Sequence, residues 1–274
     1  MLTKNFFRSL SSFVSKTEHI NGVDLLYHRT KTHENRDHGV LCLPGAVGTG
    51  SRDFGPQLAS EQLAESVNLV AVDPRGYGGS RPPARNFSPG MYAQDARDGL
   101  ELMKRLGFER FSVMGWSDGA NTALLLASSQ EAMSFIRSIV LWGGNAFVSK
   151  EDLDYCEKTR DISLWSSRMK DPLIEIYGRD GLQIMWSQWI DTFIRIYEEG
   201  GEICSKEKLN SIRCPTLLLH GAKDSLLPDF HPVYLKQHLG GQCTYHVFPN
   251  GKHNIHFQYA SEFNAMVVEF LKNK

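Results

Sequence analysis

The chain has 274 residues, 41% of them hydrophobic and 22% charged, with a formal net charge of −1. That length and balance suit one α/β domain with room for an inserted subdomain, and a near-neutral chain without a basic stripe excludes nucleic acid as a partner. No apolar run reaches the roughly 18–20 residues of a membrane span, and five scattered cysteines without a C-x-x-C pair argue against zinc and a disulfide framework and for a reducing compartment.

The opening stretch, MLTKNFFRSLSSFVSK, has a character of its own. Drawn as a helix, it puts Leu2, Phe6, Leu10 and Phe13 on one face and Lys4, Arg8, Ser11 and Ser15 on the other, with no acid before Glu18. A basic, serine-rich, acid-free amphipathic segment has the composition of a mitochondrial transit peptide; a frayed extension is the alternative. Residues 1–18 are therefore set outside the fold, which is taken to span 19–274, and the expected location is mitochondrial, otherwise cytoplasmic.

From His19 onward, short apolar runs alternate with amphipathic stretches, the pattern of a mostly parallel sheet covered by helices. VDLLYHRT, GVLCLPG and NLVAVDPRGYGGS read as early strands, the last two breaking into turns rich in glycine. In MYAQDARDGLELMKRLG, Ala93, Ala96, Leu100, Met103 and Leu106 recur at helical spacing and Gly107 is the stop. RFSVMGWSDGANTALLLASS is then strand, turn and helix in immediate succession. IRSIVLWGG, CPTLLLHG and CTYHVFPN are later strands, and EFNAMVVEFLKNK is a C-terminal helix. Over about 146–212 the alternation fails and aromatics accumulate, which reads as a helical cap inserted after a core strand.

Ser117 stands between Gly115 and Gly119, the spacing of a nucleophile elbow, and its strand–turn–helix setting is the one that motif requires. A serine hydroxyl needs a base in reach and the base needs an orienting acid. In this architecture they follow in the order Ser, Asp or Glu, His, each after a late strand. Asp224 in LLLHGAKDSLLP and His253 in VFPNGKHNIH occupy those places, with His256 as the competing base. His19, His28, His33, His38 and His220 precede the acid and are set aside. Acyl transfer also needs donors for the oxyanion, expected from the backbone N–H groups of Asp118 and of Ala46 in PGAVGTG. Asp73 and Arg75 read as braces for the loop beneath the site. Among Trp116, Trp142, Trp186 and Trp189, Trp116 has the position that best suits substrate binding. No metal or cofactor is called for.

The motifs PGAVG, DPRGYGGS, GWSDG, HGAKD and GKHN, in this order, resemble the α/β-hydrolase superfamily. Within it they are most similar to the biphenyl hydrolase-like proteins of the valacyclovirase type. The resemblance runs from His19 to the C-terminus and includes FGPQL and the cap stretch TRDISLW. It implies hydrolysis of α-amino acid esters, with Ser117 as nucleophile, Asp224 as acid, His253 as base and Asp118 as anchor for the substrate ammonium. Alanine in PGAVGTG is a departure, because close relatives can carry a larger residue there, and it bears on the shape of the acyl pocket. Physical reasoning points the same way: a carboxylate beside an oxyanion donor is tolerable where a substrate cation offsets it. The alternative is that Asp118 only stabilises its helix N-terminus. The expected partner is a small-molecule ester, met by a monomer. Rival functions are a carbon–carbon bond hydrolase or general carboxylesterase of the same fold, which need no cation anchor, and a non-catalytic small-molecule-binding protein.

Overall fold

The computed structural model describes residues 13–31 and 38–272. Among these residues, eight strands form one sheet in the order β1-β2-β4-β3-β5-β6-β7-β8. They are β1 (Phe13–Ile20), β2 (Val23–Thr30), β3 (Gly39–Leu43), β4 (Asn68–Val72), β5 (Phe111–Trp116), β6 (Ile136–Trp142), β7 (Thr216–Gly221) and β8 (Cys243–Phe248). β1 and β2 are antiparallel to their neighbours, and every pairing from β4 to β8 is parallel.

β3, β4 and β7 are buried along their whole length, as expected of parallel strands covered on both faces. Alternate residues face opposite ways. Leu41 and Leu43 join one core with Val70, Val72 and Val113. Val40 and Cys42 join the other with Leu69, Ala71 and Met114. Three short helices, α1 (Gly50–Asp53), α2 (Gly55–Leu58) and α3 (Glu61–Ser66), link β3 to β4. The first core is closed by α4 (Met91–Arg105) through Ala96, Leu100 and Met103, and by α5 (Asp118–Ser128) through Ala120, Ala123, Leu124 and Ala127.

Between β6 and β7 come α6 (Lys150–Lys158), a 3-10 turn (Ile162–Leu164), α7 (Ser167–Tyr177), α8 (Arg179–Glu198) and α9 (Lys206–Ser211). The first four pack on one another through Leu153, Cys156, Trp165, Trp186, Trp189 and Phe193, a core separate from the other two. The neck of this cap is sewn shut where Val148 N–H meets Gly201 O (2.7 Å) and Ile203 N–H meets Ala146 O (2.9 Å). α9 differs from the cap expected over 146–212: its Leu209 and the following Ile212 join the sheet-side core. α10 (Phe230–His238) lies between β7 and β8, and α11 (Ile255–Gln258) and α12 (Ala260–Lys272) follow β8. α12 covers the second face of the sheet with Phe263, Val267, Val268 and Leu271. No helix among the described residues is long and apolar enough to cross a membrane.

One expectation is corrected at the N-terminus. Residues 13–18, set aside with the leader-like segment, form most of β1, which pairs with β2 residue by residue from Phe13↔Thr30 to Ile20↔Val23. The hairpin turns on Asn21 (φ 48°) and Gly22 (φ 79°), both in the left-handed region that a two-residue type I′ turn demands. Phe13 therefore belongs to a strand; the rest of the proposed leader, residues 1–12, lies outside the described residues. β1 is an edge strand, and its exposed Lys16 and His19 discourage pairing with another chain.

Candidate active site

β5 runs into α5 through a single residue, Ser117, with φ 56° and ψ −123°. A non-glycine residue there stores about 1–3 kcal/mol of backbone strain, which surrounding contacts must hold in place. They do so at several points. Ser117 N–H donates to Trp142 O at 3.0 Å and Ser117 O accepts from Ala120 N–H at 2.8 Å. Gly119 leaves room for the Leu43 carbonyl, where a Cβ would collide, and Gly115 makes the same allowance for Gly119 and Ala120. The hydroxyl is thus presented at the C-terminal ends of the central strands, where open α/β sheets bind ligands.

The loops after β7 and β8 are stitched together by Ala222 N–H to Phe248 O (2.9 Å) and Lys223 N–H to Gly251 O (2.8 Å). This brings His253 Nδ1 to 2.8 Å from Asp224 Oδ2. Asp224 Oδ1 accepts from the N–H groups of Leu226 (2.9 Å) and Leu227 (3.1 Å). Burial alone would raise the Asp224 carboxyl, but His253 and these donors outweigh it and hold the group below the ordinary carboxylate value. With Nδ1–H given to the carboxylate, Nε2 is left as the acceptor nitrogen. Gly143, at φ +64°, lets the ring lie close, since a Cβ there would come within 2.8 Å of His253 Cε1. His253 and Ser117 line one cavity.

His256 sits elsewhere. It is fully buried, accepts from Trp142 Nε1–H at Nδ1 (2.9 Å) and donates from Nε2 to Asp53 O (3.0 Å). Both ring nitrogens are used, and burial, reinforced by His253, pushes its pKa well below the usual value. It is a neutral strut. Trp116 is also displaced from the role expected of it. Its indole N–H donates to His253 O at 3.1 Å and its ring lies against His256 at 4.6 Å, so it backs the histidine loop and is not among the residues lining the cavity. Trp142 is core; Trp186 and Trp189, from the cap, are the tryptophans that line the cavity.

The turn after β3 carries Ala46 into the same cavity. It closes by Gly48 N–H to Gly45 O at 3.0 Å, while Gly45 N–H is taken by the buried Asp53 carboxylate at 3.1 Å. Burial pushes Asp53 up to about 6 despite Arg52 and this N–H. Among the described residues neither Ala46 N–H nor Asp118 N–H has a protein acceptor. Beneath the turn, Asp73 accepts from Gly50 and Gly79 N–H, both at 2.8 Å. Arg75 pairs with Asp98 through two bonds of 2.8 and 2.9 Å. These acids brace loops and do not reach the cavity.

Asp118 lines the cavity beside Ser117. Its Oδ1 accepts from Tyr92 O–H and its Oδ2 from Trp189 Nε1–H, each at 2.8 Å. Burial raises its pKa to about 6; the two donors and Arg85 pull it down, and Asp95 pushes it up. Thr159, Tyr155, Cys156 and Phe193 complete the cap side, with Leu226 and Leu227 opposite. The cavity holds a second acid, Asp152, which no sequence motif marks. Its carboxylate accepts from Ser149 N–H (2.7 Å) and from the buried His231 Nε2 (2.9 Å), tying α6 to α10. Among the described residues, two acids and no lysine or arginine line the cavity. Among the described residues no group of three or more His, Cys, Asp or Glu side chains is placed to hold a metal.

The chain is similar to known proteins. The Alpha/beta hydrolase family profile matches residues 40–266. "Serine hydrolase BPHL" of Mus musculus is 44% identical over 254 residues, 92% of this chain and 84% of that protein. Its Homo sapiens counterpart of the same name is 42% identical over 264 residues, 96% and 88% of the two chains. A solved meta-cleavage product hydrolase, a mutant of CumD, superposes with a TM-score of 0.75 at 21% identity, covering 95% of this chain and 99% of its own; at that identity the likeness is one of fold. With a mostly parallel eight-stranded sheet, a strained serine at its strand–helix turn and a helical cap above, the chain belongs to the α/β-hydrolase family and is a serine hydrolase.

Proposed function

We propose that this hydrolase cleaves carboxylic esters of α-amino acids through an acyl-enzyme, with Ser117 as nucleophile, His253 as base and Asp224 as its orienting acid. His253 Nε2 takes the Ser117 proton as Oγ adds to the ester carbonyl. The N–H groups of Ala46 and Asp118 receive the oxyanion. Collapse expels the alcohol, which leaves with the proton from His253, and the acyl group stays on Ser117. Water then adds to the acyl-enzyme by the same route, giving the free amino acid and restoring the serine. Asp224 stays ionised and keeps Nδ1–H directed to itself, which leaves Nε2 free for the transfer.

The observation that carries the substrate class is the Asp118 carboxylate, lining the same cavity as Ser117 and belonging to the residue whose N–H would bind the oxyanion. An α-ammonium lies one carbon from the scissile carbonyl, so a carboxylate adjacent to the nucleophile is where its counter-charge belongs. The absence of lysine and arginine from the lining among the described residues also favours a cation over an anion. The test compares kcat/KM for an α-amino acid ester with that for the same ester N-acetylated. A preference of about tenfold or more for the free amine is expected; equal turnover would leave a general esterase, and turnover of neither ester would point to another hydrolase chemistry. For location, we propose that residues 1–12 act as a mitochondrial leader.

A further inference from the structure

Asp118 does not hold its own position. One of its oxygens is bonded from α4, through Tyr92 O–H, and the other from the cap, through Trp189 Nε1–H, both at 2.8 Å. Tyr92 is 1% exposed and Trp189 7%. Trp189 is itself fixed between Trp186, stacked at 4.6 Å and 16°, and Phe193 at 4.3 Å. Trp186 is anchored in turn by donating to Thr159 O at 2.9 Å. A carboxylate oxygen has more than one acceptor direction, so each donor leaves capacity for a further partner in the cavity.

We infer that Tyr92 and Trp189 are positioning residues which hold the Asp118 carboxylate in place for the substrate ammonium, and that seating of the cap through Trp189 completes the ammonium site. This rests on the amino acid ester reading above. Two neutral donors do what a lysine or arginine could not. They stabilise the anion against burial without cancelling the charge the substrate needs, and they draw that charge towards α4 and the cap, off the Asp118 N–H. Since one donor belongs to the core and the other to the cap, a displaced cap leaves the carboxylate with a single flank. Selectivity for the amine and cap closure are then one event.

The test uses Tyr92→Phe and Trp189→Phe in the full chain, each deleting one donor and keeping an aromatic ring. The readout is the ratio of kcat/KM for the α-amino acid ester to that for its N-acetylated counterpart, followed from about pH 5 to pH 8. A hydrogen bond to a charged group is worth roughly tenfold or more, so each variant should lower the ratio about tenfold, mainly through KM for the amino ester. The pH midpoint of the ratio should also rise. Arg85, Asp95 and Tyr77 on the core side, and Cys156, Asp152 and His253 around the cavity, face Asp118 as well. All remain in both variants, so a moved midpoint reports the deleted donor. Equal loss on the two esters, or an unmoved ratio and midpoint, overturns the inference. Asp118→Asn is run alongside: if it too leaves the ratio intact, the amino ester reading falls; if it alone removes selectivity, only the positioning role falls. The two Phe variants sit on different elements, so a folding defect in one leaves the other to decide.

Discussion

Replacing Asp118 by asparagine should remove the preference for a free amine while keeping the active-site shape. The substitution is nearly isosteric here. Trp189 N–H can still donate to the amide oxygen, and the Tyr92 hydroxyl, donor in the native enzyme at 2.8 Å, can turn to accept from the amide N–H. The backbone N–H assigned to the oxyanion is untouched. What disappears is one charge. With a pKa of about 6, Asp118 is mostly ionised at pH 7.5. An ammonium ~3 Å away at an effective dielectric of ~20 is attracted by about 5 kcal/mol before it loses its water. After dehydration, a desolvated pair that loses one partner typically forfeits about 2–4 kcal/mol, about 30- to 900-fold in rate. The assay is kcat/KM on an α-amino acid ester and on its N-acetylated form at pH 7.5, reported as their ratio. A ratio that stays within about threefold of wild type refutes the cation-anchor reasoning and leaves Asp118 a structural acid.

Ser117→Ala should reduce ester hydrolysis by several orders of magnitude with the circular dichroism unchanged, and His253→Ala should reach the same floor, since the two act as a unit and their losses do not add. His256→Ala should act differently, costing about 2–4 kcal/mol in denaturant unfolding because Trp142 N–H and Asp53 O both lose a buried partner; a loss of turnover in its folded fraction equal to that of His253→Ala would reassign the base. The ratio of amino ester to acetylated ester turnover should fall as pH drops through about 6, where Asp118 takes up a proton; His253 acts on both esters, so its part in catalysis cancels from the ratio, and a flat ratio between about pH 5 and 8 would contradict the assignment. Residues 1–12 fused to a reporter should carry it to mitochondria, and their removal should leave the melting temperature unchanged, whereas removal through Ile20 deletes β1 and should lower it; a cytosolic reporter counts against the leader.

The chain order of the sheet is readable because its central strands are buried on both faces and therefore appear as continuous apolar runs, as in GVLCL and TLLLHG. The elbow is readable because close backbone approach leaves room only for glycine at 115 and 119. β1 escapes for the opposite reason. It is an edge strand with little buried surface, so no apolar alternation marks it; the usable signal is the Asn21-Gly22 pair, which fixes a hairpin whatever the strands contain. Trp116 is misplaced by sequence because neighbourhood along the chain is a poor guide to direction. At a strand's end the side chain points to the face opposite its successor's, so a residue adjacent to Ser117 can lie behind the histidine. Tyr92 has no signal at all, since its hydroxyl meets Asp118 only through the packing of α4 on α5.

That last contact resolves a difficulty in GWSDG. A carboxylate on the residue whose N–H would bind an oxyanion should slow acyl transfer if its charge lay along that N–H. Simple helix capping would not remove the problem, because a capping carboxylate stays near the first-turn N–H groups. Here the oxygens are held instead by donors from two other elements, Tyr92 on α4 and Trp189 on α8. On the proposed amino ester reading, backbone and side chain of one residue would serve opposite charges: the N–H would face a developing anion and the carboxylate a fixed cation one carbon away. An ester without the amine meets the same backbone donor with the carboxylate's field uncompensated. Discrimination would thus arise from favouring the cation and penalising its absence, which a neutral residue at position 118 could not combine.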